Sequence, residues 1–367
     1  MWAMITKEIH QLRRDRRTLA MMVVLPVLML VVFGYAARFD VTSIPVNVVG
    51  SGAEQVADAL PAPFEVRDVD PAGTRDDAER DLRDGRVPAA VVAGDGGVTV
   101  LLDGSELFTA NAARTALARA SASAPAGGTG GDAPDVDLDV LFNPDLDTST
   151  VMVPGLAGLI LLFVGTVITS LGVVRERQAG TLEQLAVMPL RPADVFLGKV
   201  APYFVVATAD LAVVLTVGVV LFDVPFRGSI LLLALGALAF LFVTLGVGVL
   251  ISTVSQNQGQ AIQLAIMTLL PQVLLSGLIF PVSSMAPGVR WLSYVLPLTY
   301  FNEISRGVML RDASLGALWA PFAVLGVLGV VVVTLATLRF RRDLAPSAGR
   351  GPSQRSPRRP ASVGAAS

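Results

Sequence analysis

Six stretches of this sequence are each long enough to cross a membrane as a helix, and together they contain one charged residue, Asp210. A helix rises about 1.5 Å per residue, so about 20 apolar residues span a hydrocarbon core of about 30 Å. Hydrophobic residues make up 53% of the chain, and the mean hydropathy is +0.64, which does not suit a soluble domain of ordinary composition. The stretches are residues 18–37, 151–174, 202–222, 229–251, 261–280 and 315–338. The sequence therefore predicts an α-helical integral membrane protein with six transmembrane helices.

The distribution of Lys and Arg predicts the orientation of these helices. Basic residues precede the first stretch, follow the last, and lie between the second and third. Since loops rich in Lys and Arg remain cytoplasmic, both termini are predicted to lie in the cytoplasm. Residues 1–17 then form a cytoplasmic segment, and residues 339–367 form a disordered cytoplasmic tail. A cleaved signal peptide is the alternative for residues 18–37, and it would leave five spans.

Residues 38–150, between the first two stretches, are predicted to form a small external α+β domain. The expected strands are residues 44–49, 87–93 and 97–102, the expected helices are residues 74–83 and 106–120, and residues 121–132 resemble a flexible linker. The domain has two acidic clusters but no EF-hand calcium loop. Solvated surface charge is therefore the preferred interpretation of these clusters.

Several kinds of catalytic chemistry are excluded by the residues that the chain lacks. It contains no cysteine, and its one histidine is His10. Its two lysines are Lys7 and Lys199, and Gly198-Lys199 is followed by Val200, so there is no phosphate-binding loop of the P-loop type. The chain is therefore not expected to be an enzyme or to hold a cofactor or metal, and nothing predicts a nucleic-acid partner.

A charged, amphipathic insert at residues 175–190 separates the second stretch from the third. Within it, Leu182 and Leu185 fall on one helical face and Glu183 faces elsewhere, while Pro189 ends the pattern. The spacing predicts a short helix that lies along the membrane surface. Its position between two long apolar runs favours the interpretation that it transmits the movement of another protein. A helix that only anchors the loop at the interface is the alternative.

Three segments carry a family resemblance that extends over nearly the whole chain. They read FNPDLDTSTVMVPGL, RERQAGTLEQLAVMPLRPADVFLGK and LSGLIFPVSSMAPGVRWLSYVLPLTYFNEISRGVMLR. With one span, an external domain and then a five-helix transmembrane domain at residues 151–338, the chain resembles permease subunits of ATP-binding-cassette transporters of the type-2 exporter family. The resemblance implies export, a separate ABC ATPase that binds ATP and Mg, and a second permease subunit, either identical or different. It assigns coupling to the ATPase to Glu176, Gly180, Thr181, Leu182, Glu183 and Leu185.

Polar residues in the apolar stretches are candidates for a transport path. Asp210 lies near the middle of a span, where a carboxylate is costly unless it faces protein or water. Gln263 and Gln272 lie in the fifth stretch. For Asp210, structural packing is an equal alternative, and for the glutamines interhelical hydrogen bonding is the preferred role.

Residues 281–314 are apolar but interrupted by prolines, and they are predicted to form an external re-entrant segment. Glu303 and Arg306 lie three residues apart on one helical face and are candidates for an external gate. A plain interfacial loop is the alternative.

The preferred function is the permease of an ATP-driven exporter in the bacterial cytoplasmic membrane, in contact with membrane lipid. Drugs, lipids and polymer chains all remain open as substrates. A membrane-anchored receptor or adhesion protein, which would bind its partner through the external domain, is the alternative.

Overall fold

A computed structural model describes Val27, Val41 and residues 43–94, 97–123, 136–180 and 192–344. For residues 121–123, 192–197, 199–200 and 340–344 it describes the backbone only. The predicted cytoplasmic segment, nearly all of the first stretch, residues 181–190 of the insert and the tail from residue 345 onward lie outside the described residues.

The first part of the described chain forms a mixed five-stranded sheet. Its strands are β1 (Ile44–Val49), β2 (Phe64–Asp70), β3 (Ala89–Gly94), β4 (Gly97–Asp103) and β5 (Val136–Leu141), in the order β2-β1-β3-β4-β5. β1 runs parallel to β2 and β3, β3 pairs antiparallel with β4, and β4 runs parallel to β5. Parallel neighbours need crossover connections. These contain α1 (Ala53–Ala59), α2 (Arg75–Arg83) and α3 (Leu107–Ser123).

Both faces of the sheet are covered, because adjacent side chains of a strand point to opposite faces. Ile44, Val46 and Val48 are buried in one apolar cluster with residues of α1 and α3. Val49 belongs to a second cluster with Leu82 of α2. We refer to this unit, with the loop that follows β5, as the α/β domain.

Two strands of the α/β domain are not predicted by the sequence, because each lies at an edge of the sheet. β2 has the sequence FEVRDVD and buries one side chain, that of Phe64, so it has no apolar alternation. β5 has the sequence VDLDVL and contains two of the aspartates that were interpreted as surface charge. The other three strands overlap the predicted segments.

The second part of the described chain is helical. Its helices are α4 (Thr148–Phe163), a π-helical turn (Val164–Ile168), α5 (Thr169–Gln178), α6 (Pro192–Leu221), α7 (Ile230–Val254), α8 (Gln258–Leu275), α9 (Pro287–Ser293), α10 (Pro297–Met309) and α11 (Leu315–Leu344), with a short 3-10 turn at Val282–Ser284. α4, the π turn and α5 form one continuous helix.

Within the described chain, four helices are long and apolar enough to cross a membrane: Thr148–Gln178, Ala201–Leu221, Ile230–Val254 and Leu315–Arg339. They coincide with four of the six predicted stretches. α8 is not among them, and it ends at Leu275 rather than at residue 280, because Ser276 caps it and Gly277 turns the chain with a φ of +82°. Six spans therefore remain a prediction.

Small residues bring α7 close to the long helix at its π turn. A side chain at Gly248 would lie 2.6 Å from the carbonyl oxygen of Gly165, so the backbones meet there directly. Thr166 and Thr244, beside this crossing, have no exposed surface. Close approach through small residues is typical of packed membrane helices, and π turns occur often at functional positions.

Candidate functional site

The predicted coupling insert begins inside a membrane helix rather than as a separate helix. Residues 175–178 are the last turn of α5, and the chain turns at Ala179 and at Gly180, whose φ is +76°. Glu176 therefore belongs to the long helix, and Gly180 provides the left-handed backbone that ends it. Thr181, Leu182, Glu183 and Leu185 lie outside the described residues.

Arg177 connects the end of α5 to the junction between α7 and α8. Its Nη1 donates hydrogen bonds to the carbonyl oxygens of Ser252, at 2.9 Å, and Ser255, at 3.0 Å. Both acceptors lie at the C-terminal end of α7, where a cation is favourable. Gln178 accepts a hydrogen bond from Gln258 of α8 at 3.0 Å. From the sequence, Arg177 contributes only to the predicted orientation of the helices in the membrane. Its structural role is not visible there, since its acceptors are backbone atoms of distant residues.

The three candidates for a transport path lie in different environments. Asp210 is half-buried on α6. Gln263 is half-buried on α8, and its Oε1 has no hydrogen-bond partner within the described residues. Gln272 is 2% exposed, and its Oε1 accepts a hydrogen bond from the backbone nitrogen of Leu298 at 3.3 Å. For Gln272 the contact is an interhelical hydrogen bond of the kind expected from the sequence, because it joins α8 to α10.

The two gate candidates line a cavity of about 310 Å³ between the α/β domain and the predicted re-entrant segment. We call this space the charged cavity, since its walls include Glu106, Glu303, Arg306 and Arg311. Glu303 and Arg306 do not form an ion pair with each other in the part of the chain that the structure describes. Instead, Arg306 donates from Nη2 to the carbonyl oxygen of Leu278 at 3.3 Å.

A buried charge pair holds the two sides of the charged cavity together. Nη1 of Arg311, just after α10, lies 3.3 Å from Oδ2 of Asp103, at the end of β4. Asp103 is 1% exposed and Arg311 is 7% exposed. The other carboxylate oxygen of Asp103 accepts a hydrogen bond from the backbone nitrogen of Ser105 at 2.8 Å. This hydrogen bond therefore orients the carboxylate of Asp103 independently of its ion pair with Arg311.

Gly85 leaves the space that Arg311 occupies. It has a φ of +69°, which favours glycine, and a Cβ there would lie 2.7 Å from Nη1 of Arg311. A side chain at position 85 would therefore displace the guanidinium group of Arg311 from its observed position.

Asn143 joins the α/β domain to the first described membrane helix. Its Nδ2 donates to the carbonyl oxygens of Gly104, at 3.2 Å, and Asp147, at 3.1 Å, and its Oδ1 accepts from the backbone nitrogen of Asp147 at 3.1 Å. Asn143 belongs to the FNPD motif that carries part of the family resemblance. The motif thus positions the start of α4 against the loop that contains Asp103 and Ser105.

Glu106, on the α/β side of the charged cavity, lies in an environment that disfavours its ionised form. Its surface is accessible, but that surface lines the cavity, and the surrounding protein replaces much of its water. This desolvation raises the pKa of Glu106, and the negative charge of Asp103 adds to the effect, while Arg311 and Arg306 oppose it. Thr109 donates a hydrogen bond to its carboxylate at 3.2 Å.

Asp103, Glu106, Arg311 and Gly85 were not predicted from the sequence as site residues. Asp103 and Arg311 are 208 residues apart, so no local pattern connects them. The cavity is lined by Gly85, Glu106 and Arg311 but not by Asp103, and in it charged and apolar groups surround a space large enough for a small molecule.

Comparison with known proteins matches residues 16–338 to the family described as ABC-2 family transporter protein. Over 332 residues the chain is 29% identical to the probable multidrug ABC transporter permease YbhS of Escherichia coli K12, an alignment that covers 84% of this chain and 88% of that relative. It is 36% identical over 178 residues to the probable multidrug ABC transporter permease YbhR of the same strain, covering 48% of each chain. For the inner membrane transport permease YhhJ, also of this strain, identity is 32% over 211 residues, or 56% of each chain. The alignments thus span about half the length of YbhR and YhhJ.

Proposed function

Since the chain belongs to the ABC-2 transporter family, we propose that it is the membrane-spanning permease subunit of an exporter driven by a separate ABC ATPase. One observation carries this proposal beyond the family. The continuous helix Thr148–Gln178 has the charged cavity near its first residues and the coupling region at its last residues. At 31 residues it is about 46 Å long, so it is long enough to connect the two sides of a membrane.

Movement at the coupling region reaches more than one helix in this proposal. An ATPase that displaces residues 181–190 pulls on α5 through Gly180. Because Arg177 is bonded to Ser252 and Ser255, the same displacement reaches the junction of α7 and α8. Packed elements switch between discrete arrangements, so such a pull is passed on as a rigid-body shift. The π turn at Val164–Ile168, where α7 crosses closely, is the proposed pivot.

The partners follow from the same scheme. ATP and Mg bind in the ATPase subunit, because this chain has no phosphate-binding loop. α6 exposes Val205, Val213 and Val220, and α11 exposes Val327 and Val330. These apolar faces suit lipid or a second permease subunit, in agreement with a dimeric transporter. The proposed location is the bacterial cytoplasmic membrane, with the α/β domain outside.

Drugs are the proposed substrate class, since two relatives are named as probable multidrug permeases. The receptor or adhesion alternative is less well supported. A receptor needs no lever between two spans, and the family match extends across residues 16–338.

The test of this function is the double change Leu182→Ser and Leu185→Ser. If these side chains are anchors in a groove of the ATPase, their loss weakens ATPase association and abolishes efflux, since truncating such an anchor typically costs about 1 kcal/mol or more. Membrane insertion stays intact, because neither residue lies in an apolar stretch. Recovery of the ATPase in a pull-down and efflux from cells are the measurements.

A matched control changes two residues of the tail, Gln354 and Arg355, to Ser, and it leaves ATPase recovery and efflux at the wild-type level. Normal ATPase recovery and normal efflux in a correctly inserted Leu182→Ser, Leu185→Ser protein would remove the coupling role, and with it the proposed exporter mechanism.

A further inference from the structure

The charged cavity has two kinds of wall. One is apolar and consists of Phe108 from the α/β domain, Val151 and Met152 from α4, and Leu278 and Ile279 from the loop after α8. Its volume of about 310 Å³ lies within the range of sites that hold small molecules. The apolar wall can therefore bury a ring or a short chain.

The second wall is charged, and its charges do not cancel. Four charged side chains line the cavity: Glu106, Glu303, Arg306 and Arg311. Asp103 does not line it but lies behind Arg311 as its buried partner, so three acidic and two basic groups are close together here. Asp103 neutralises Arg311 in the buried pair. Arg306 is attracted most strongly by Glu106. When both glutamates are ionised, one negative charge is left, and Glu303 has no hydrogen bond or ion pair from any other described residue.

The acidic groups are also the ones that a ligand would meet first. Glu106 and Glu303 are exposed, whereas Arg306 is half-buried and Arg311 is buried. The Nε atoms of both arginines are buried and have no hydrogen-bond partner among the described residues, but they have almost no surface through which a ligand could reach them. Moreover, desolvation by the surrounding protein raises the pKa of the Glu303 carboxyl group, Arg311 opposes this effect, and repulsion by the carboxylate of Glu106 adds to it. A positive charge placed between them removes this repulsion and pairs the excess negative charge.

We propose that the charged cavity binds organic cations that carry an apolar ring or chain, as a site for the exported substrate on the side of the α/β domain. The proposal deepens the proposed function, on which its transport role rests. Binding itself needs no ATPase, so the cavity is tested apart from the coupling mechanism.

The test measures fluorescence polarisation of ethidium, a permanent cation with aromatic rings, on the purified full-length chain in nanodiscs of zwitterionic lipid. Each of the changes Glu106→Gln and Glu303→Gln is expected to weaken binding at least about fivefold, and the double change to abolish it, because one carboxylate pairing with a cation is typically worth about 1 kcal/mol or more. Glu54→Gln, an exposed glutamate on α1, is the matched control and leaves binding unchanged.

A second variant tests the space rather than the charge. Ser283 is exposed and lines the cavity, so Ser283→Trp fills it without removing a charged group. This change is also expected to weaken ethidium binding at least fivefold, while the melting temperature stays at the wild-type value.

Two results would overturn the proposal. One is ethidium binding that is unaffected both in the Glu106→Gln, Glu303→Gln protein and in Ser283→Trp. The other is tighter binding of fluorescein, an anionic probe of similar size, than of ethidium, which would assign the cavity to anions through Arg306. Neither result depends on an ATPase, so neither would bear on the Leu182 and Leu185 test.

Discussion

Arg311 joins the helical part to the α/β domain through a buried ion pair with Asp103. Its partner Asp103 is 1% exposed, so removal of the guanidinium leaves a carboxylate buried without a counter-ion. Breaking a buried ion pair in this way costs about 3–5 kcal/mol, whereas removing both charges costs much less. We therefore expect the pair to make the docking of the two parts specific.

We predict that Arg311→Ala lowers the melting temperature of the purified protein by several degrees, and that Asp103→Asn in the same chain restores part of the loss. The measurement is thermal unfolding followed by tryptophan fluorescence. Arg227→Ala, which removes an exposed arginine from the turn before α7, is the control and has little effect. An unchanged melting temperature in Arg311→Ala would show that the buried pair does not stabilise the contact.

Gly85 allows a second test of the same contact. Gly85→Ala places a Cβ 2.7 Å from Nη1 of Arg311, and the positive φ adds about 1–2 kcal/mol of strain. In the Arg311→Ala background the clash is gone and only the strain remains. We therefore expect the effects of the two changes on the melting temperature to be less than additive, as they are for residues in direct contact. Strict additivity would argue against the close fit between Gly85 and Arg311.

At the scale of elements, the long helix Thr148–Gln178 contacts α7 at two positions along its length. Gly165 and Gly248 meet near the π turn, and Arg177 holds the last carbonyl groups of α7. The first contact is made by backbone and small side chains, and the second by a long basic side chain. We therefore propose that a shift of α5 is transmitted to α7 at its end, while the crossing at the π turn remains close.

We predict that Arg177→Ala uncouples ATP hydrolysis from export. The ATPase still binds, because its proposed anchors are Leu182 and Leu185, but efflux falls because α7 no longer follows α5. The measurement is efflux per ATP hydrolysed in proteoliposomes that contain both subunits. Arg175→Ala is the matched control, since Arg175 is an exposed arginine of the same turn. If Arg177→Ala behaved like Arg175→Ala, the bonds to Ser252 and Ser255 would have no part in coupling.

At the scale of the whole molecule, the proposal places the α/β domain outside and both termini inside. The chain contains no cysteine, so single cysteines can report this arrangement directly. We predict that Ser51→Cys, in an exposed turn of the α/β domain, reacts with a membrane-impermeant maleimide in intact cells. Ser356→Cys, in the tail, reacts only after permeabilisation. Labelling of Ser356→Cys from outside would contradict an even number of spans, and protection of Ser51→Cys would move the α/β domain to the cytoplasm.

Apolar length is the property that the sequence alone determined best. Four of the six stretches coincide with helices that can cross a membrane. A run of about 20 uncharged apolar residues strongly favours a membrane-spanning helix over other structures. The strand β1 was predicted with its observed ends, since Ile44, Val46 and Val48 alternate with more exposed positions. β2 and β5 were not predicted, because an edge strand buries too few side chains to show an alternation of apolar and polar residues.

The candidate sites were also predicted only in part from the sequence. The family resemblance assigned the coupling region, and helical spacing gave the gate candidates; both assignments stay predictions. Only the tertiary structure placed Glu303 and Arg306 in a cavity with Glu106, and Arg311 on Asp103. Local periodicity describes residues a few positions apart, whereas the buried pair joins residues 208 positions apart. Arg177 is similar, because its acceptors are backbone carbonyl groups, which no side-chain pattern reveals. The sequence thus determined which segments are apolar enough to enter a membrane, and the packing of those segments decided which charges meet.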